Sequence, residues 1–110
     1  MAYDEALADR VRQLIGLRAD VTERKMFGGI GFMVGGNMAC GVSSGSDLIV
    51  RLDPEEYKRA LAEPDVRTFD MTGRQMRGWI LVAPEAVATD EQLAGWVDAG
   101  ADFATSLPAK

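Results

Sequence analysis

Two pairs of adjacent glycines, Gly28-Gly29 and Gly35-Gly36, cut the stretch from Glu23 to Leu52 into short apolar runs. Two-residue turns between antiparallel strands need positive φ, which glycine adopts without the clash a Cβ would cause. The runs are Lys25-Met26-Phe27, Ile30 to Val34, Met38 to Val42 and Asp47 to Leu52, the last two parted by Ser43-Ser44-Gly45-Ser46. This pattern predicts four consecutive antiparallel strands. In the fourth, alternation puts Leu48, Val50 and Leu52 on one face and Ile49 and Arg51 on the other.

Glycines this close together also suggest a phosphate cradle. Gly29-Ile30-Gly31 would need a third glycine where Val34 stands, and no Gly-Lys-Ser/Thr sequence follows. Phosphate loops lead straight into a helix, whereas strand residues follow here. The hairpin reading is the stronger.

Helical spacing brackets the strands. From Asp4 to Arg18, the residues Leu7, Val11, Leu14, Ile15 and Arg18 recur on one stripe, with Asp4 and Glu5 at the positive end of the dipole. Asp53-Pro54-Glu55-Glu56 opens a second helix with a side-chain cap and proline in the first turn. Tyr57, Ala60 and Leu61 form its apolar side, and Pro64 is its expected stop. Phe69 and Met71 have strand spacing before Thr72-Gly73, and Gly78 to Ala83 reads as a buried strand ended by Pro84. Thr89 and Gln92 form a capping box ahead of a stripe of Leu93, Trp96, Val97, Gly100, Ala104 and Leu107. Gly100, on the apolar side, implies a close backbone approach. The expectation is one α+β domain over residues 1–110, an antiparallel sheet of five to six strands with three helices in the order α-β-β-β-β-α-β(β)-α.

Composition removes whole classes of chemistry. The chain of 110 residues has no histidine and one cysteine, Cys40. No Ser-His-Asp triad, Cys-His dyad, histidine-ligated zinc site or all-thiolate cluster can be built within one chain. Cys40 lies in the apolar run Met38-Ala39-Cys40-Gly41-Val42, so a buried structural thiol is the expectation. A nucleophilic role would need a cation such as Arg24, Lys25 or Arg51 beside it. The net charge of −5 opposes unaided binding to nucleic acid or an anionic membrane. No apolar run approaches the roughly 20 residues of a membrane span, and the start Met1-Ala2-Tyr3-Asp4-Glu5 lacks a secretory pattern. A cytoplasmic protein without cofactor, metal site or catalytic residues is expected.

The remaining candidates are surfaces. Lys25, Arg51 and Arg77 lie on or beside predicted strands and, together with Cys40, could form an anion-binding or catalytic cluster. Arg67, Arg74 and Arg77 precede Trp79 in a segment that also holds Asp65 and Asp70. They suit an anionic partner, or a cation–π contact between Arg77 and Trp79, against the plainer expectation of exposed pairing with the nearby acids. Trp79 and Trp96, each on an apolar stripe, are expected in the core. Met26, Met33, Met38, Met71 and Met76 read as core filling or as an adaptable partner surface.

The segments Arg24 to Met33, Asn37-Met38-Ala39 and Asp47 to Leu52 resemble the TfoX/Sxy N-terminal domain, and Met76-Arg77-Gly78-Trp79 with Val82-Ala83-Pro84 extends the likeness. The resemblance implies a curved antiparallel sheet with flanking helices, laid out like secretion-chaperone folds. The family is named for regulators of bacterial competence that act as transcription co-activators with a cyclic-AMP receptor protein. Longer members carry a second, helical domain, so a chain ending at Lys110 is expected to be a stand-alone N-terminal domain. The family offers no catalytic residues to carry over. These points together suggest a non-enzymatic module with a protein partner, such as the transcription machinery, and no direct DNA binding. A small-molecule or anion-binding domain using Lys25, Arg51, Arg77 and Cys40 is the alternative, and a homodimer is a third reading.

Overall fold

A computed structural model describes residues 3–16, 18, 20–26, 28–71 and 74–108, with the side chains at 26, 70, 71 and 74–76 outside that description. Three helices, α1 (Glu5–Ile15), α2 (Pro54–Ala60) and α3 (Asp90–Ser106), accompany a six-stranded sheet. The strands are β1 (Val21–Met26), β2 (Gly29–Val34), β3 (Asn37–Val42), β4 (Leu48–Arg51), β5 (Val66–Met71) and β6 (Arg74–Val82). All neighbours are antiparallel, and the spatial order β1-β2-β3-β4-β6-β5 leaves the sheet open. Among the described residues, no helix is long and apolar enough to cross a membrane.

The meander forms for the reasons its sequence gives. Gly35 and Gly36 take φ of 61° and 85°, the pair of positive angles that joins β2 to β3 in two residues. Asp4 caps α1, Asp53 caps α2 by accepting from the Glu56 amide at 2.8 Å, and Thr89 and Gln92 close the capping box of α3.

Several boundaries differ from the sequence reading: β1 starts at Val21, ahead of the Lys25 run, and Gly29 is not in a turn but opens β2 opposite Met26. Helix α1 ends at Ile15, and Arg18 leaves its stripe to pair with Asp98 and Asp102 of α3. Helix α2 ends at Ala60, ahead of Pro64, because its last turn tightens around Leu61. Strand β6 starts at Arg74, four residues before Gly78, and inserts between β4 and β5. Pro84–Val87 forms a short 3-10 turn. Phe27 and Thr72-Gly73 lie outside the described residues.

One face of the sheet makes the core. Ile30 and Phe32 of β2 register with Val42 and Cys40 of β3, and these in turn with Leu48 and Val50 of β4. Leu48 and Val50 stand opposite Val82 and Ile80 of β6. Against this face pack Leu7, Val11 and Ile15 of α1 and Leu93, Val97 and Ala104 of α3. A register shift at Phe32/Met33 leaves Ala39 fully buried beneath α3. A Cβ on Gly100 would sit 2.3 Å from the Ala39 carbonyl oxygen, so only glycine lets α3 lie this close.

Candidate functional site

The structure separates the basic residues that the sequence groups together. Lys25 is exposed on β1, opposite Ile30 of β2, at one edge of the sheet. Arg51 ends β4, three strands away, at about 4.8 Å per strand. Cys40 lies inside the core with no exposure, and burial in apolar surroundings pushes its thiol up to about 12. The cluster of Lys25, Arg51, Arg77 and Cys40 therefore does not form; only Arg51 and Arg77 come together.

Arg67, on β5, makes an ion pair with Asp47 before β4, rather than with Asp65; the side chain of Asp70 lies outside the described residues. The side chain of Arg74 lies outside the described residues, as do those of Met26, Met71 and Met76. The guanidinium over Trp79 belongs to Arg51, not to Arg77. Trp79 is half-buried and outside the main cluster, whereas Trp96 packs, partly buried, against that cluster.

Arg51 and Arg77 line a pocket of about 570 Å³ where α2 meets the end of β4 and the middle of β6 beside α3. Lys58 of α2 is a third cation on its wall, and Leu61, Pro54 and Phe103 supply apolar surface. Phe103 and Lys58 are the residues that sequence reasoning missed. Lys58 follows Tyr57 on a helix whose apolar side drew attention, and its proximity to Arg77 depends on the chain returning as β6. Phe103 lies beside the α3 stripe, one residue before Ala104, so it turns toward α2.

The backbone positions the basic groups. Leu52 donates its amide to the Gly78 carbonyl at 2.7 Å, tying the end of β4 to β6. Gly78 takes φ of 86°, a conformation that L side chains rarely adopt, and this sets the path of the chain between Arg77 and Trp79. The guanidinium carbon of Arg51 stands 5.3 Å from the Trp79 ring centre and 5.4 Å from that of Phe103. Two electron-rich faces therefore hold one cation in place. Among the described residues, no carboxylate pairs with Arg51, Lys58 or Arg77. Nor is any group of three or more acidic or thiol side chains there placed to hold a metal ion.

The second face of the sheet has a different character. Gly41 of β3 stands between Gly31 and Ile49 in register, and Ile49 stands opposite Leu81. Met33 and Ile49 are buried yet belong to no part of the core cluster, into which the buried side chains of all three helices pack. Met38 lies close over Gly41, and Met38 and Leu81 stay partly exposed.

An open antiparallel sheet with helices gathered on one face, and a basic pocket where α2 meets the sheet, define an α+β domain of the meander type. The TfoX N-terminal domain model matches residues 13–104, nearly the whole chain, and the chain belongs to that family. No protein of curated function matches it.

Proposed function

We propose that this domain is a non-enzymatic protein-interaction module, of the kind that TfoX/Sxy co-regulators use to act on transcription through a protein partner. The observation that carries the reading is the second sheet face, where Met38 and Leu81 stay partly exposed beside buried Met33 and Ile49, all four separate from the core cluster. A methionine-bearing face adapts to a partner's contour more readily than one of branched side chains. The open edge at β1 adds a row of backbone groups that a partner strand can extend. The exposed Glu23, Arg24 and Lys25 on that strand guard against indiscriminate pairing. The net charge of −5 supports contact with transcription machinery through protein rather than through DNA.

The experiment is capture of partners from the native host by the intact chain, beside the folded variants Met38→Asp and Leu81→Asp. Partners identified by mass spectrometry that both variants lose support the reading, and competence factors or RNA polymerase components among them support the regulatory role. Tight binding of purified protein to duplex DNA at physiological salt, with no partner present, defeats it. Light scattering that shows a stable dimer broken by the same two variants would assign the face to a second copy of the chain instead.

A further inference from the structure

We propose that the pocket between α2, α3, the end of β4 and the middle of β6 binds a small organic phosphate, its charged group held by Arg51, Lys58 and Arg77. The proposal does not rest on the partner-binding reading, although Arg51 and Trp79 are the next pair along the ladder from Ile49 and Leu81. The first argument is charge. Arg10, Arg12, Arg18 and Arg67 each pair with a carboxylate, as expected in a chain with 17 acidic residues and 12 basic ones. The three cations of the pocket do not, among the described residues, and neither do Arg24, Lys25 and Arg59; what sets the first three apart is that they line one cavity. Like charges gathered on one wall disfavour each other until an anion joins them.

Preorganisation is the second. Trp79 and Phe103 fix the Arg51 guanidinium at 5.3 and 5.4 Å, so little side-chain freedom is left to lose on binding. Shape is the third. The volume of about 570 Å³ falls within the range of roughly 300–1,000 Å³ found for small-molecule sites. Leu61, Pro54 and Phe103 give the ligand's body an apolar wall.

The count of cations selects the headgroup. A single carboxylate is satisfied by one arginine fork, whereas a phosphate monoester near neutral pH carries close to two charges and three acceptor oxygens. Two arginines and a lysine match that charge and those oxygens. Inorganic phosphate would satisfy the cations and leave the apolar wall uncovered.

Calorimetric titration of the full chain with phenyl phosphate, inorganic phosphate and benzoate tests this. Phenyl phosphate is expected to bind one per chain, about tenfold more tightly than either of the others, the loss expected when one charged contact or the apolar contact is missing. Lys58→Ala and Arg77→Ala, both at exposed positions, should each weaken it about fivefold or more while the circular dichroism spectrum is unchanged. Arg67→Ala, outside the pocket, should leave binding as it is, and added NaCl should weaken it. No saturation by about 10 mM phenyl phosphate overturns the proposal. So does binding that survives both pocket variants, and benzoate binding as tightly removes the phosphate assignment.

Discussion

Arg51 and Trp79 stand opposite each other on β4 and β6, and the guanidinium carbon of one lies 5.3 Å from the ring centre of the other. Phe103 of α3 meets the same guanidinium at 5.4 Å, and Phe69 meets Trp79 with ring centres 6.4 Å apart. One cation therefore ties the β5–β6 hairpin to α3 through aromatic faces.

Replacing Arg51 with alanine should lower stability by about 1 kcal/mol, the range of partly desolvated cation–π contacts. Arg51→Lys should restore part of this, since an ammonium keeps the charge but cannot stack as a plane on both rings. Urea midpoints measure the difference, and a Trp96→Phe background isolates the emission of Trp79, which should shift when Arg51 is removed. Unchanged midpoint and emission would show that the two-ring contact contributes nothing.

Two glycines of α3 should respond in opposite directions. A Cβ at Gly95 meets nothing within 4 Å, so Gly95→Ala should stabilise by roughly 0.5–1 kcal/mol through helix propensity alone. A Cβ at Gly100 would stand 2.3 Å from the Ala39 carbonyl oxygen and 3.3 Å from a Val50 methyl. Neither group can yield without moving β3 or β4, so Gly100→Ala should destabilise by about 1–3 kcal/mol, as overpacking does. Thermal midpoints should rise for the first variant and fall for the second by some 4–8 °C per kcal/mol.

Much of this was legible in the residues themselves. The turn at Gly35-Gly36, the alternation of Leu48 to Leu52, the caps at Asp53 and Thr89 and the stripe position of Gly100 all act over a few residues, and each is found where local chemistry puts it; the first glycine pair is displaced by one, with Gly29 opening β2 opposite Met26. What local chemistry cannot give is the return of the chain. Strand β6 inserts beside β4 because Ile80 and Val82 complete the buried face begun by Val50 and Leu48, a match between segments some 30 residues apart. That insertion gives Arg51 to Trp79, where adjacency in sequence suggested Arg77, and it brings Lys58 to the same pocket as Arg77. Lys25 and Cys40 failed to join Arg51 for the complementary reason: strand order puts the first at a far edge and the core closes over the second.

The bridge between Arg12 of α1 and Glu23 of β1 should show itself in acid. Arg12 donates to both carboxylate oxygens of Glu23, at 2.6 and 2.9 Å, and also pairs with Asp9. Those hydrogen bonds, with the attraction of the guanidinium, hold the Glu23 carboxyl below its ordinary value. A group depressed in the folded state adds stability above its unfolded pKa, and that stability is lost as pH falls through the folded value. Both side chains are more than a third exposed, so the contribution is no more than about 1 kcal/mol. Glu23→Gln should be less stable than the parent at pH 7, and the two should converge toward pH 3 in urea titrations. A gap that persists at pH 3 would assign the loss to packing rather than to charge.

Cys40 offers the opposite sign. Its thiol is raised to about 12 by burial, from an ordinary value near 9.0, so the folded chain keeps a proton that the unfolded chain releases. Stability is unaffected below about pH 9 and falls as pH rises from there toward 12, with a slope approaching 1.36 kcal/mol per pH unit for one proton. The measurement is the difference between the parent and Cys40→Ala, whose stability should lack this component of the slope. In native protein at pH 8, a thiol reagent should label Cys40 only as fast as the chain opens, and at once in denaturant. Rapid labelling of folded protein would mean that the core around Cys40 admits solvent and reagent, and the slope should then vanish with it.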